Sequence, residues 1–520
     1  MVGKLDLGAV VRRVDAATAR IENEWDVPIT LVAREDVVVE ADGVAELLRF
    51  ASLQGTLDDL RAWERAGRIG AFWGESPGRI DSIVLTPDFH KGAGIPVGTV
   101  VDARGFVVPQ AVGNDVCCGM RLLATDVDRE ELAPHVGALK KRLRAIFFQG
   151  QRDIPMSPRQ REAMLRDGLA GLHATAGENG STGIWKHYDA RAQREDLERV
   201  HFQGALHATG TFAFDAYIRS SGRSDGRDIQ IGSVGGGNHF VEIQAVEEIL
   251  EGSSARTFGL TKSGVTIMAH SGSVGLGHMV GGYFGERAHS LYPKGVPHPG
   301  HGFYVLPAAG PHAREAAVYL DAMRNAANFA FANRLFLGLM VVRALSETLG
   351  RQVTSRLVYD APHNLIWEPE GSEPRYLHRK GATPACGPDG CAGPFAYTGH
   401  PVIIPGSMGD ASYVLAGSGR EDLLASACHG AGRSLTRGRS SHVDDAMYRR
   451  TMEKLHVVTP LDPEAPNVRF RRDILAKYHQ RMKEEAPYAY KPITPVVRSV
   501  EDAGIARRVA RLWPMVTVKG

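Results

Sequence analysis

The sequence predicts an α+β fold, a single large domain of mixed β-sheets surrounded by helices. Three observations carry this. Apolar residues recur at helical spacing in several separate stretches, short β-branched runs bounded by Gly and Pro lie between them, and nothing repeats with a period of 20 to 50 residues. Residues with metal-binding chemistry are spread over four blocks, so they must converge through one fold rather than sit in an excisable module.

Residues 57–69 and 129–147 carry helical spacing, the second as REELAPHVGALKKRLRAIF. Between them, residues 80–127 alternate β-branched runs with Gly and Pro turns, which predicts strands joined by functional loops. Shorter helices are predicted at 164–172 and 192–200, around the polar stretch ENGSTGIWKHYDA. A strand-rich block covers 229–246 and resumes at Gly264. A long helix is predicted over 313–349, closed by Gly350 where a helix C-terminus favours glycine. Strands and turns return over 357–415. Helices are predicted at 444–455, 470–485 and 500–512, before a strand-like VTVKG.

At 520 residues the chain can bury a large core, and 43% apolar with 23% charged residues is an ordinary globular composition. No apolar run reaches the roughly 18 residues of a membrane span. The nearest, FLGLMVV from Phe336, sits inside the predicted long helix. The N-terminus has scattered charges and no apolar stretch ahead of a small-residue cleavage site, so the expectation is a cytoplasmic protein with no membrane partner. Five cysteines, with Cys117 and Cys118 adjacent, make no disulfide framework and fit a reducing compartment. Cys386 and Cys391, in CGPDGC, lack a second pair to complete a zinc site and read as a Gly-Pro loop. From Gly430 to Gly520, 18 Lys and Arg face 10 Asp and Glu, a basic surplus that can meet a polyanion such as RNA or simply solvate helix faces.

The chemistry concentrates in glycine-rich turns. VPQAVGNDVCCGM sets Asp115 three residues ahead of Cys118, GGGNHFVE holds His239, MAHSGSVGLGH holds His270, APHNLIWEP holds His363 and SACHGAGR holds His429. One carboxylate, one thiolate and several imidazoles are donors that a borderline transition metal takes. A Cys118 thiolate can bridge two cations while Asp115 binds one of them. Taken alone, that pair reads more simply as a buried cysteine beside a turn aspartate. His270 and His363 end strand-like runs and enter polar turns, which suits ligation better than core packing. His278 and His378 are less well placed and read as structural. Three glycines and Asn238 precede His239, so backbone amides there can approach an anion. His429 opens HGAGR, where small residues clear space for nucleophilic attack on phosphorus and Arg433 can balance phosphate charge. Without the rest of the chain that turn holds an incidental histidine.

Taken in order, PDFHKGAGIPVGTV, DVCCGM, GNHFVEIQ, AHSGSVGLGH, PHN, HRKGAT, PGSMGDASYV, CHGAGR and a terminal KG resemble the RtcB family of GTP-dependent RNA ligases, from about Asp88 to Gly520. The resemblance implies one domain over 1–520, with 1–87 as its N-terminal part, and a central cleft holding two manganese ions. It implies Asp115, Cys118 and His239 as ligands of one ion and Cys118, His270 and His363 as ligands of the other. His429 becomes the residue that attacks the α-phosphate of GTP and carries GMP. Guanylate then passes to an RNA 3′-phosphate, and a 5′-hydroxyl displaces GMP; 2′,3′-cyclic phosphate ends are opened first. Guanylate contacts are implied for Asn238, His239, Phe240, Val241, Glu242, His363, Asn364, Pro405, Gly406, Ser407, Met408, Ser412, His429, Gly430, Ala431, Gly432, Tyr490 and Lys519. Ser407, Glu242 and Lys519 are the ones placed to read the guanine edge. Expected partners are broken or spliced RNA and GTP, with an archease-like activator as a candidate.

Three positions depart from the resemblance. Cys117 stands where glycine is usual, Val274 where HSGSRGLG has arginine, and Pro384 where arginine follows HRKGAT. Fewer basic side chains weaken contacts to RNA phosphates. Two alternatives to a sealing ligase therefore stand: a guanylyltransferase that caps 3′-phosphates without sealing and, in a different class, an inactive RNA-binding scaffold.

Overall fold

The computed structural model describes residues 5–76, 78–180, 182–219, 228–371, 373–435, 440, 445–452 and 455–520. Among them, two large mixed sheets organise the α+β fold. The seven-stranded sheet runs in the order Val11–Arg13, Thr18–Ile21, Ile29–Val32, Arg79–His90, Val97–Arg104, Arg375–Lys380, Asn364–Trp367. Its neighbours are antiparallel except Ile29–Val32, which runs parallel to Arg79–His90. The eight-stranded sheet runs Ser355–Pro362, Gly119–Asp128, Gly264–Ser271, Phe240–Ile249, Ala506–Val518, Ser412–Gly417, Pro401–Ile404, with Val457–Val458 pairing in parallel to Ala506–Val518.

The helix Ala313–Leu349 packs against Gly264–Ser271 and Gly119–Asp128 of this second sheet and against the helices Pro158–Thr175 and Val136–Phe148. It is apolar nearly all round, as a helix enclosed on every side must be. By length and composition it could cross a membrane, yet 89% of its apolar window is buried inside the fold. It is the core helix, and Gly350 closes it at φ 66 as expected.

Boundaries shift where the local pattern is weak. The 57–69 signal is the helix Leu53–Arg65, preceded by Ala41–Ala51, which the spacing did not reveal. The turn holding Pro134 divides 129–147 into Arg129–Leu132 and Val136–Phe148. The 164–172 helix extends to Pro158–Thr175 and bends at Gly168, and 192–200 divides into Ala190–Glu195 and the turn Asp196–Arg199. Within 229–246 only the part from Phe240 is strand. The 470–485 pattern is the helix Arg472–Glu484. Of 444–455, Asp445–Met452 is helical, while Asp444, Glu453 and Lys454 lie outside the described residues.

The helix expected at 500–512 is an error. The helix is Ile493–Asp502, and Ala506–Val518 is one long strand. Register shifts at Arg511/Leu512 and Pro514/Val516 interrupt its in-out alternation, so its apolar residues fall at helix-like intervals. Pairing on both sides, to Phe240–Ile249 and Ser412–Gly417, overrides that local pattern.

Candidate active site

Strand register gathers the expected ligands at one end of the eight-stranded sheet. Gly119 pairs with both Ser271 and Pro362, and Phe240 pairs with His270, so Cys118, His239, His270 and His363 share one rim. Asp115 reaches it from the loop before Cys118. Cys118 Sγ lies 3.1 Å from His239 Nε2 and 3.1 Å from His270 Nε2. Asp115 Oδ2 stands 2.8 Å from His239 Nε2, and the Nε2 atoms of His270 and His363 are 3.3 Å apart. Such a crowd of lone-pair donors suits a cation, since metal bonds of about 2.0–2.3 Å put neighbouring donors about 3.3–3.7 Å from one another. Among the described residues, Cys118, His239 and His270 form a buried group whose ligand atoms all fall within 4.8 Å of one another. Nδ1 of His239 and Nδ1 of His363 are buried without a hydrogen-bond partner, so the contacts that orient these rings are those of Nε2, the nitrogen turned to the cluster.

Electrostatics agree with the geometry. Burial, with Asp115 beside it, drives the Cys118 thiol well above its ordinary pKa. Burial and the neighbouring His239 push the His270 imidazole well down, and burial with His429 does the same to His363. A cation bound here would displace the thiol proton. The surrounding glycines supply room: a Cβ on Gly272 would lie 2.3 Å from Asp115 Oδ1, and one on Gly235, at φ 86, would lie 2.6 Å from His239 Nδ1.

His429 follows the short strand Ser426–Cys428, and its ring lies 4.5 Å from that of His363. Its Nδ1 is 2.7 Å from Asp88 Oδ2, off the straight line of a hydrogen bond, and its backbone N–H donates to the same carboxylate at 3.3 Å. Thr86 Oγ1 donates to the other carboxylate oxygen at 2.5 Å. Burial by itself raises the Asp88 carboxyl; the His429 imidazole and Thr86 hold it below its ordinary value. With Nδ1 occupied, Nε2 is the nitrogen left for chemistry. Sequence reasoning quoted Asp88 only as the start of a motif. The available signal was a carboxylate inside an apolar strand, which needs a buried partner.

A cavity of about 550 Å³ opens in front of His429, a size suited to a nucleotide. Asn238, Phe240, Glu242, Pro405, Gly406, Ser407, Met408, Gly430, Ala431, Gly432, Tyr490 and Lys519 line it, together with His90, Glu485 and Thr517, which the sequence did not single out. Five expected contacts stand back from it. Val241 alternates to the opposite side of its strand. Ser412 Oγ accepts from Gln244 at 2.9 Å and from Gly406 N at 3.2 Å, shaping the 405–408 turn from behind. Asn364 braces the ligand loop, donating to Asp115 O at 3.2 Å and accepting from Gly381 N at 2.8 Å. His239 and His363 belong to the ligand cluster.

Burial pushes the Glu242 carboxyl up to about 7, although Thr517 and Gln244 donate to it at 2.5 and 2.7 Å. Lys519 is buried, its Nζ 3.2 Å from Glu485 Oε2, so the tail is docked rather than frayed. Arg433 lines the cavity with its guanidinium engaged by Glu484 O at 2.7 Å, Glu485 at 3.3 Å and Tyr490 OH at 3.2 Å. His278 and His378 stay outside the site: His278 is exposed, and His378 Nε2 accepts from Val108 N at 3.0 Å. CGPDGC is a loop around a single turn, Pro388–Gly390.

Of the departures, Cys117 and Val274 both hold positive φ, 56 and 49, and Pro384 is buried in a strand opposite Ser426. Cys117 immediately precedes Cys118 of the candidate metal cluster, and Val274 opens the helix after the His270 loop.

The family model described as tRNA-splicing ligase RtcB matches residues 74–520. A tRNA-splicing ligase RtcB of Thermococcus kodakarensis is 34% identical over 485 residues, covering 88% of this chain and 91% of that protein. An RNA-splicing ligase RtcB of Mycobacterium bovis is 34% identical over 458 residues, 85% of this chain and 98% of that one. A tRNA-splicing ligase RtcB of Pyrobaculum aerophilum is 31% identical over 526 residues, 95% of this chain and 97% of that protein. With the match running through every block that builds the site, the chain belongs to the RtcB family of tRNA-splicing ligases.

Proposed function

We propose that this protein joins RNA 3′-phosphate or 2′,3′-cyclic phosphate ends to 5′-hydroxyl ends with GTP, through a GMP carried on His429. The observation that carries the reading is His429, backed by Asp88, standing between the Cys118–histidine cluster and the nucleotide-sized cavity. Asp115, Cys118 and His239 would hold one divalent cation, and Cys118, His270 and His363 a second, manganese being the ion the family resemblance implies. Bound there, such cations supply positive charge against the oxygens of the reacting phosphate.

The chain's own residues account for the rest. His429 Nε2 attacks the α-phosphorus of GTP; the N–P bond forms, the bond to the β-phosphate oxygen breaks, and pyrophosphate leaves. The Nδ1 proton stays between His429 and Asp88, whose carboxylate offsets the charge the ring gains on phosphorylation. An oxygen of the RNA 3′-phosphate then attacks the same phosphorus and frees the imidazole. The 5′-hydroxyl oxygen attacks the activated 3′-phosphorus, its proton passing to solvent, and GMP departs. Glu242 suits acceptance from guanine N1–H and N2–H, and Ser407 and Lys519 suit the remaining edge, which would select GTP over ATP.

A second reading rests on Val274 and Pro384, two apolar side chains where the resemblance expects arginine. With less to hold the RNA strand, the protein would cap 3′-phosphates and stop. Residues 1–520 are proposed to act as one domain, because the seven-stranded sheet joins strands from 11–32 to strands from 79 onward; the cytoplasm is proposed as its location on the sequence alone. Incubation with α-labelled GTP and Mn²⁺ tests the core of the proposal: wild type should take covalent label and His429→Ala should not. A 3′-phosphate strand offered with and without a 5′-hydroxyl partner separates sealing from capping. An unlabelled wild type leaves only an RNA-binding scaffold.

A further inference from the structure

Of the four polar side chains fully buried on the core helix Ala313–Leu349, Asn325, Asn328, Asn333 and Arg334, the last two lie beneath the site. Their polar atoms are aimed at the chain segments that carry the ligands. Arg334 Nη1 donates to Cys117 O at 2.7 Å and Ser271 O at 3.0 Å, the carbonyls adjoining Cys118 and His270. Its Nε donates at 2.9 Å to Asp360 Oδ1, three residues before His363, while Arg121 donates to the other carboxylate oxygen at 3.1 Å. Asn333 accepts from Gly232 N and Ser233 N at 2.7 and 3.1 Å, on the loop leading to His239. It donates to Ser233 O, Ser271 Oγ and Gly272 O at 3.0, 3.1 and 3.1 Å.

The same clamp bears on two local features. Cys117 holds φ 56, a left-handed conformation that is strained for a non-glycine residue. Its peptide groups are pinned on both sides, the N–H by Asn364 O at 2.6 Å and the carbonyl by Arg334. Gly119 is hemmed in from two sides: a Cβ there would lie 2.6 Å from Ala361 O and 2.9 Å from Pro362 Cα on the neighbouring strand, and 3.0 Å from Arg334 Cζ. Burying a guanidinium is a poor way to stabilise a core, since apolar side chains of similar volume avoid the desolvation cost. What a planar fork of donors does well is fix several carbonyls at set distances.

We propose that Arg334, with Asn333, is a positioning residue that sets the spacing of the metal-ligating side chains from the helix beneath the sheet. This rests on the metal centre proposed above. The test is Mn²⁺ titration of the metal-free protein by calorimetry, on wild type, Arg334→Lys, Asn333→Ala and the double variant Cys117→Gly/Arg334→Lys, with circular dichroism confirming the fold of each. Folded Arg334→Lys should bind Mn²⁺ about 10- to 100-fold more weakly. The double variant should recover part of that loss, because glycine adopts the position-117 conformation without support. A folded Arg334→Lys with wild-type affinity overturns the inference, even if its melting temperature falls. Should that variant not fold, unchanged affinity in folded Asn333→Ala overturns it equally. Wild type that binds no Mn²⁺ overturns the metal centre itself, a separate outcome.

Discussion

Asp88 Oδ2 and His429 Nδ1 lie 2.7 Å apart although the residues are 341 positions apart in sequence. The pair joins the end of a seven-stranded-sheet strand to a turn that faces the Cys118–histidine cluster of the other sheet, so the orientation of the proposed nucleophile depends on both sheets. Asp88→Asn keeps the shape and removes the charge. The ring is then free to present the wrong tautomer, and the charge gained on phosphorylation goes unmatched. Covalent labelling by α-labelled GTP should slow by about 10²- to 10⁴-fold in single turnover. An unchanged rate would remove Asp88 from this role.

Glu242 predicts a pH dependence for nucleotide binding. Burial raises its carboxyl to about 7, so the proton is held below that pH and lost above it. Only the carboxylate accepts from both guanine N–H groups. GTP affinity should therefore weaken as pH falls through 7, approaching about tenfold per unit well below it, and level off above about 8. A GTP analogue that cannot transfer its α-phosphate isolates binding from chemistry. Glu242→Gln should bind weakly at every pH; if it keeps the wild-type slope, another group titrates.

The HGAGR turn offers an internal comparison. Gly432 sits at φ 74, and a Cβ there would lie 2.1 Å from Asp88 O. Gly430 has no such conformation, and the nearest atom to its Cβ would be 3.7 Å away. Gly432→Ala should destabilise by about 1–3 kcal/mol and slow labelling by displacing Asp88, whereas Gly430→Ala should melt near wild type. Equal melting temperatures would show that the turn relaxes.

The residues that converge on the site were legible because each stands in a short, unusual string: two histidines beside glycine turns, a third between Pro362 and Asn364, and a cysteine three residues after an aspartate. Asp88, Asn333 and Arg334 were not. Asp88 matters through a partner in another sheet, and Asn333 and Arg334 lie in a helix whose pattern announces only burial. The same limit governed the fold. The 37-residue core helix was visible from composition and its closing glycine, while Ala506–Val518 was misread because its bulges exist only when both neighbouring strands are present.

Cys118 provides the sharpest prediction, because its sulfur stands 3.1 Å from one histidine of each ligand group. Asp115 stands against His239, and His363 stands against His270. If both cations share this thiolate, removing it must loosen both, while removing a terminal ligand loosens one. A serine hydroxyl fills nearly the same space but stays protonated, and its neutral oxygen is a poor bridge between two cations. Metal analysis after equilibrium dialysis against Mn²⁺ should find two ions per wild-type chain, one in His363→Ala and fewer than one in Cys118→Ser. Labelling by GTP should fall by orders of magnitude in both variants, since either loss misplaces the phosphate. Two ions retained by folded Cys118→Ser would mean that the groups bind independently and that the thiol is a bystander.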